Sequence, residues 1–153
     1  MKLKLYLAGA IRTDRGDEDY KWRRAFAAQL GDRAICMVPS DAGVADGNKL
    51  RRFTGSAYMT YRTDLQLIQQ SDIVVANLLP LNDGYPSIGT MFELGFARAH
   101  EKHILAVAGA NFAAHPFVAF GCDGVFSDVS QLHEYLEQYL EVVAGHSRLL
   151  EVK

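Results

Sequence analysis

The sequence predicts an α/β fold: one domain over residues 1–153, with a five-stranded parallel sheet covered by helices on both faces. Three observations predict it. Strand-like and helix-like stretches alternate along the chain, the pattern of β–α–β units and so of parallel strands. The run Ile73-Val-Val-Ala-Asn-Leu-Leu79 is almost unbroken in apolar character, as a central strand covered on both faces requires. And 153 residues, 49% apolar and 22% charged, can build one good core without disulfides or metals.

Taken in order, Leu3 to Gly9 reads as the first strand, with Gly9 allowing a tight exit. The opening Met1-Lys-Leu-Lys-Leu-Tyr-Leu-Ala-Gly-Ala faintly mimics a signal peptide. Its apolar stretch is too short for one, and Arg12-Thr-Asp-Arg-Gly-Asp-Glu-Asp19 follows at once. Asp17 to Leu30 is a helix, with Trp22, Ala25, Phe26 and Gln29-Leu30 at a broken 3–4 spacing. Arg33 to Val38 is a short second strand. Pro39 to Gly55 has no period and contains Gly43, Gly47 and Gly55, which predicts a functional loop or lid. Ser56 to Ser71 is helical, with Met59, Leu65 and Ile68 near one face. After the Ile73–Leu79 strand, Pro86-Ser87 opens a helix running to about Glu101, with Ser87 as its N-cap. His103 to Ala108 is the fourth strand, Gly124 to Phe126 a short fifth, and Ser130 to Val143 the last helix. The expected architecture is a single-domain flavodoxin-like, Rossmann-like three-layer sandwich with strand order 2-1-3-4-5, the order being an analogy. Such a fold does not specify a reaction.

Composition narrows the field. A formal charge of −2 gives no basic stripe for nucleic acid, and the pairs Arg23-Arg24 and Arg51-Arg52 read as solvated faces. No window approaches the ~20 apolar residues of a membrane span. Cys36 and Cys122 are far apart and form no CxxC pattern, which argues against a disulfide framework or zinc site and for a reducing cytoplasm. Gly9-Ala-Ile-Arg-Thr-Asp-Arg-Gly16 lacks the G-x-G-x-x-G dinucleotide fingerprint, and Gly43-Val-Ala-Asp-Gly-Asn-Lys-Leu50 lacks the P-loop spacing. His100 and His103 straddle a helix end, and exposed or capping roles are expected of them rather than metal ligation. No metal or organic cofactor is expected.

The chemical signal is Glu93, a lone carboxylate in the apolar, glycine-interrupted run Tyr85-Pro-Ser-Ile-Gly-Thr-Met-Phe-Glu-Leu-Gly-Phe-Ala97. Beside Met91, Phe92, Leu94 and Phe96 an unpaired carboxylate would cost several kcal/mol, since even a neutral polar group costs roughly 2–7. It also begins a helix at the carboxyl end of a parallel strand, where open α/β sheets bind ligands. The plain alternative is a surface glutamate.

These pieces together resemble the nucleoside 2-deoxyribosyltransferase family over most of the chain. The matching segments are Leu5-Tyr-Leu-Ala-Gly9, Asp64-Leu-Gln-Leu-Ile-Gln-Gln-Ser-Asp-Ile-Val-Val-Ala-Asn77, Gly89-Thr-Met-Phe-Glu-Leu-Gly-Phe-Ala97, Pro116-Phe117 and Asp123-Gly-Val125. The resemblance implies a retaining double displacement at C1′. Glu93 would be the nucleophile that holds the sugar as an ester, until a second base or water releases it. It makes Tyr6 the positioner of Glu93 and Asp64 an acid/base or sugar-binding partner. If Asp64 lies close to Glu93, one of the two carboxyls should be pushed towards its protonated form. Read without the resemblance, Tyr6 would be a core aromatic and Asp64 an exposed helix residue.

Two departures bear on the substrate. Where the transferases carry an aspartate that handles the base, this chain has Ser87; their asparagine lent across a subunit interface falls on Val118. Ser87 instead resembles the 2′-deoxynucleoside 5′-phosphate N-hydrolases, where a serine helps bind the phosphate at a helix N-terminus. Ala10-Ile-Arg12 partly resembles their first-strand loop, whose arginine meets the phosphate. Gly9, Arg12, Ser87, Gly89 and Phe120 would line the substrate pocket. The aromatic-rich stretch Phe112 to Phe120 would complete a neighbour's site in a homo-oligomer, a dimer or larger. Three functions follow in order: transfer of deoxyribose from a nucleoside to a free base, hydrolysis of a nucleoside 5′-monophosphate, and nucleotide binding without turnover.

Overall fold

The computed structural model describes residues 2–11, 18–39, 54–79 and 87–151. In chain order they form β1 (Leu3–Gly9), α1 (Glu18–Leu30), β2 (Ala34–Met37), α2 (Thr54–Gln70), β3 (Ile73–Asn77), α3 (Ile88–Ala99), β4 (His103–Val107), α4 (Ala110–Ala113), α5 (Pro116–Ala119), β5 (Gly124–Phe126) and α6 (Val129–Glu151). The strands make one five-stranded sheet in the order β2-β1-β3-β4-β5, every neighbouring pair parallel. The fold and strand order expected from the sequence are therefore found.

The period of two along each strand divides the core. Leu5 and Leu7, Ile73 and Val75, and Leu105 and Val107 face one layer, with Phe26 and Leu30 of α1 and Leu132, Leu136 and Leu140 of α6. Tyr6 and Ala8, Val74 and Ala76, and Ile104 and Ala106 face the other, with Ile68 of α2 and Leu94 and Ala97 of α3. Each fully buried aliphatic side chain contributes about 1.5–3 kcal/mol, which drives both layers onto the sheet. Ala8, Ala76 and Ala106 lie abreast in the register. This row of methyl groups adds the least bulk between the sheet and the α2/α3 layer near the strands' carboxyl ends.

Two aspartates set where strands begin. Asp72 accepts from the Lys4 amide through its side chain and donates its own amide to the Lys4 carbonyl, both at 2.8 Å. Asp123 does the same to Ile104, at 2.7 and 2.8 Å. At the other end of β3, Asn77 Oδ1 accepts from the Leu79 amide at 3.1 Å, a side-chain turn that leads the chain off the sheet.

Several expectations are corrected. On α1 the buried face is Asp19, Tyr20, Arg23, Phe26 and Leu30, while Ala25 and Gln29 are exposed. Arg23 is therefore no solvated residue: it is fully buried, whereas Arg24 is exposed. On α2, Met59 is exposed and Ile68 is the core residue. The last helix runs to Glu151, and the stretch beyond β4 forms two one-turn helices that no periodicity announced. The predicted lid lies outside the described residues except for Pro39, which is buried, and Thr54-Gly55, which open α2. Arg51-Arg52 and Arg12 also lie outside them. Cys36 and Cys122 are free, and burial pushes both thiols up to about 11. Among the described residues no helix is long and apolar enough to cross a membrane, and no group of three His, Cys, Asp or Glu could hold a metal.

Candidate active site

The strand order reverses direction between β1 and β3: the chain leaves β1 for β2 on one side, then returns to β3 on the other. Such a switch point opens a crevice at the strands' carboxyl ends. There a cleft of about 240 Å³ is lined by Gly9 at the end of β1 and Ile11 beyond it, Pro39 after β2, Thr60 and Asp64 on α2, Ser87 at the N-cap of α3, and Gly89, Thr90 and Glu93 on α3.

Glu93 is partly buried within it, and the Tyr6 hydroxyl donates to its Oε1 at 2.7 Å. The two are 87 residues apart in sequence. Strand phase explains the meeting: Tyr6 alternates with Leu5 and Leu7, so its ring must lie on the α2/α3 side. Tyr6 is completely buried, so it is a core aromatic and a hydrogen-bond donor at once. Burial, then the negative charges of Glu93 and Asp64, raise its pKa far above that of an ordinary phenol. It therefore stays a neutral donor at any working pH.

Glu93 itself is pushed up from 4.5 to about 7, chiefly because burial disfavours the charged form. The Tyr6 hydrogen bond opposes that shift, Asp64 adds to it by like-charge repulsion, and Arg23 opposes it. Of the apolar sequence neighbours of Glu93 only Leu94 is buried; Phe92 faces solvent.

Arg23 was not foreseen as part of this site. Its Nε donates to the Leu7 carbonyl at 3.0 Å, one Nη to the Gly9 carbonyl at 2.7 Å and the other to the Asp19 carbonyl. Its guanidinium lies over the Tyr20 and Trp22 rings, at 5.5 and 4.9 Å. It holds the end of β1 in place and requires glycine next to it. A Cβ on Gly9 would meet Arg23 Nη2 at 3.0 Å and Trp22 Cζ2 at 3.2 Å, on a backbone with φ +158°. The signal available in the sequence was phase: Tyr20, Arg23, Phe26 and Leu30 share the 3–4 spacing of a buried stripe.

Ser87 is the N-cap of α3, as expected, with its carbonyl accepting from the Met91 amide at 3.1 Å. Its hydroxyl makes no capping hydrogen bond. That hydroxyl thus leaves the first amides of α3 uncapped, at the end of the helix where Ser87 and Gly89 line the cleft, a favourable place for an anion. Among the described residues, a Cβ at Gly89 would meet Ser87 Oγ alone, at 3.5 Å, and Gly89 itself lines the cleft. Thr60 and Thr90 were also missed. Their Oγ1 atoms are buried without a hydrogen-bond partner, a state that costs about 1–3 kcal/mol each.

The structure thus brings together Tyr6, Gly9, Asp64, Ser87, Gly89 and Glu93. It does not bring Phe120 there: that ring is 83% exposed at the end of α5 and lines no part of the cleft. Val118 is buried in the chain's own core, on the α2/α3 side. On the opposite flank of α3 lies a separate, mostly apolar hollow of about 540 Å³, bordered by Met91, Leu94, Arg98, Phe117 and Cys122.

A sequence model of the nucleoside 2-deoxyribosyltransferase family matches residues 5–136. The chain belongs to this family. It is 30% identical over 103 residues to the human 5-hydroxymethyl-dUMP N-hydrolase; the match covers 67% of this chain and only 55%, about half, of that protein. The 2-deoxyribosyltransferase of Bacillus psychrosaccharolyticus superposes with a TM-score of 0.65 at 18% identity, over 90% of this chain and 95% of that one. The enzyme from Leishmania mexicana does so with 0.62 at 21% identity, over 91% and 97%. At such identities the two superpositions speak for the fold. The relatives carry two activities by name, deoxyribosyl transfer and N-hydrolysis, and the family is one of enzymes.

Proposed function

We propose that the chain cleaves the N-glycosidic bond of a deoxynucleoside through a covalent glycosyl-Glu93 ester and passes the sugar to another nucleobase. The observation that carries this is the Tyr6 hydroxyl donating to Glu93 at 2.7 Å, with Asp64 in the same cleft. A glutamate partly withdrawn from water and held by one donor is a competent nucleophile. Its oxygen attacks C1′ as the C1′–N bond breaks, and that electron pair leaves with the base. In the productive form the pair holds one proton: Glu93 is the anion, and Asp64 carries the proton, gives it to the departing nitrogen and takes one back from the entering base. Attack by the second base on C1′ breaks the ester and restores the carboxylate. Two inversions return the original configuration.

A second reading, hydrolysis of a nucleoside 5′-monophosphate, is favoured by a specific observation. Ser87 caps α3 without using its hydroxyl, and Gly89 leaves open space beside it, which suits a phosphate. The human relative's name describes a reaction of that kind. In this reading Arg12 joins the phosphate and water replaces the second base.

The proposed setting is a cytoplasmic homo-oligomer. Phe117 and Phe120 are 80% and 83% exposed on α5, and Ile88 of α3 is 89% exposed. Exposed apolar surface of this kind suits a subunit interface.

The deciding assay incubates the protein with a deoxynucleoside or its 5′-monophosphate, with and without a second free base. A new nucleoside identifies transfer; base plus sugar phosphate identifies hydrolysis. Tight binding without base release at high protein concentration identifies a binding module and refutes both. Glu93→Ala should abolish turnover while the protein stays folded; undiminished turnover would remove Glu93 from the mechanism.

A further inference from the structure

Thr60 and Thr90 belong neither to the hydrogen bonds of the fold nor to the chemistry assigned so far. Both line the cleft, and both Oγ1 atoms are closed off from solvent with no partner. Thr90 as a whole is 2% exposed. A threonine within a helix ordinarily turns its hydroxyl back onto the carbonyl of the preceding turn; these two do not. Each stands one turn ahead of a carboxylate, Thr60 ahead of Asp64 on α2 and Thr90 ahead of Glu93 on α3. At about 1.5 Å per residue, each threonine's backbone lies roughly 4.5–6 Å nearer the helix N-terminus than that of its carboxylate, on the same helix face.

Resting on the glycosidase reading above, we propose that Thr90, with Thr60 on the α2 wall, binds the hydroxyls on the lower face of the sugar and so decides which pentose is accepted. Stereochemistry links the two. Glu93 must reach C1′ from the side opposite the base. In a β-nucleoside the 2′- and 3′-hydroxyls project from that same side. A sugar seated for attack by Glu93 therefore turns those hydroxyls towards α2 and α3, where two unpartnered hydroxyls wait. Each threonine can donate one bond and accept another, which matches what a sugar hydroxyl offers. A site whose polar groups go unsatisfied without the matching ligand group discriminates by that penalty.

Thr90→Val keeps the shape of the side chain and removes its hydroxyl. The measurement is kcat/KM for a 2′-deoxynucleoside, its ribo counterpart and its 2′,3′-dideoxy counterpart, each with and without a 5′-phosphate, alongside the melting temperature. Thr60→Val is measured in the same way. The expected result for Thr90→Val is a loss of about tenfold on a sugar that carries the bound hydroxyl and little change on the dideoxy sugar. Loss on both the deoxy and ribo forms assigns the 3′-hydroxyl; loss on the ribo form alone assigns the 2′-hydroxyl. The melting temperature should hold or rise, because a buried hydroxyl without a partner has been removed. Equal losses on all three sugars, or no loss on any, would overturn the proposal. So would a fall in melting temperature accompanied by a uniform loss, since that assigns the hydroxyl to the fold. If the wild type cleaves none of the substrates, the glycosidase reading fails first and this one with it.

Discussion

Glu93 is caught between two demands, and the conflict can be measured. Burial lifts its pKa to about 7, while the proposed attack on C1′ needs the anion. Activity should therefore rise with pH through about 7 as the carboxylate ionises. Stability should move the opposite way. The folded pKa lies above the ordinary value of 4.5, so the native state holds the proton more tightly than the unfolded one. Stability is full below about 4.5 and declines as pH rises through about 7. The accumulated loss is roughly 3 kcal/mol at ~1.4 kcal/mol per pH unit. Glu93→Gln removes this cost while still accepting from Tyr6. It should melt several degrees higher than the wild type above pH 8, with the gap closing below pH 5, and should be inactive; a melting difference independent of pH would contradict the burial argument. Tyr6→Phe acts on the same balance from the other side. Losing a hydrogen bond to a charged acceptor should lower kcat/KM roughly ten- to hundredfold. It should also move the acidic limb of the pH–rate profile upward, because that bond favours the Glu93 anion.

At the scale of elements, the site is a meeting of one strand and two helices, and Arg23 of α1 reaches it through the backbone. Arg23 spans from Asp19 to the Leu7 and Gly9 carbonyls, so it sets where β1 ends relative to the cleft. Burial works against its charge; Tyr20, Tyr6, Glu93 and Asp19 support it. Arg23→Met would leave three carbonyls without their donor, at about 1–3 kcal/mol for each that stays buried and unpaired. At roughly 2–4 °C per kcal/mol, the melting temperature should fall by several degrees or more. The acidic limb should again shift upward, because the guanidinium lowers the Glu93 pKa; a profile left in place would make Arg23 structural only. How α1 would bury itself was only half legible. Its apolar residues announced a helix, but Arg23 looked like one half of a surface pair, because a guanidinium is buried only where carbonyls converge on it. That convergence depends on how β1 and α1 pack.

On the scale of the whole molecule, the cleft and the apolar hollow lie on opposite flanks of α3, so that helix joins the chemistry to an exposed hydrophobic surface. Phe117 borders that hollow, and both it and Phe120 are far more open to solvent than core aromatics. If they seat a second copy, the paired change Phe117→Glu and Phe120→Glu should yield a monomer in sedimentation. It should also lower turnover at protein concentrations where the wild type is associated. An active wild-type monomer at high dilution would argue against sites shared between subunits. Val118 cannot be the residue lent across, since it is buried in its own chain's core.

The sequence by itself determined the layers, the strand order by analogy, and the helix that carries Glu93. These follow from periodicity and from turn residues, which are local properties of a chain. It also marked Glu93 as out of place, because a carboxylate in an apolar run needs a reason. Tertiary structure alone decided that Tyr6 meets Glu93 across 87 residues, that burial outweighs the Tyr6 bond in setting the carboxyl's pKa, and that Arg23 is buried while Phe120 is not. Each of these depends on which groups packing brings within a few ångströms and how much water it leaves them, and neither quantity is written in the spacing of residues.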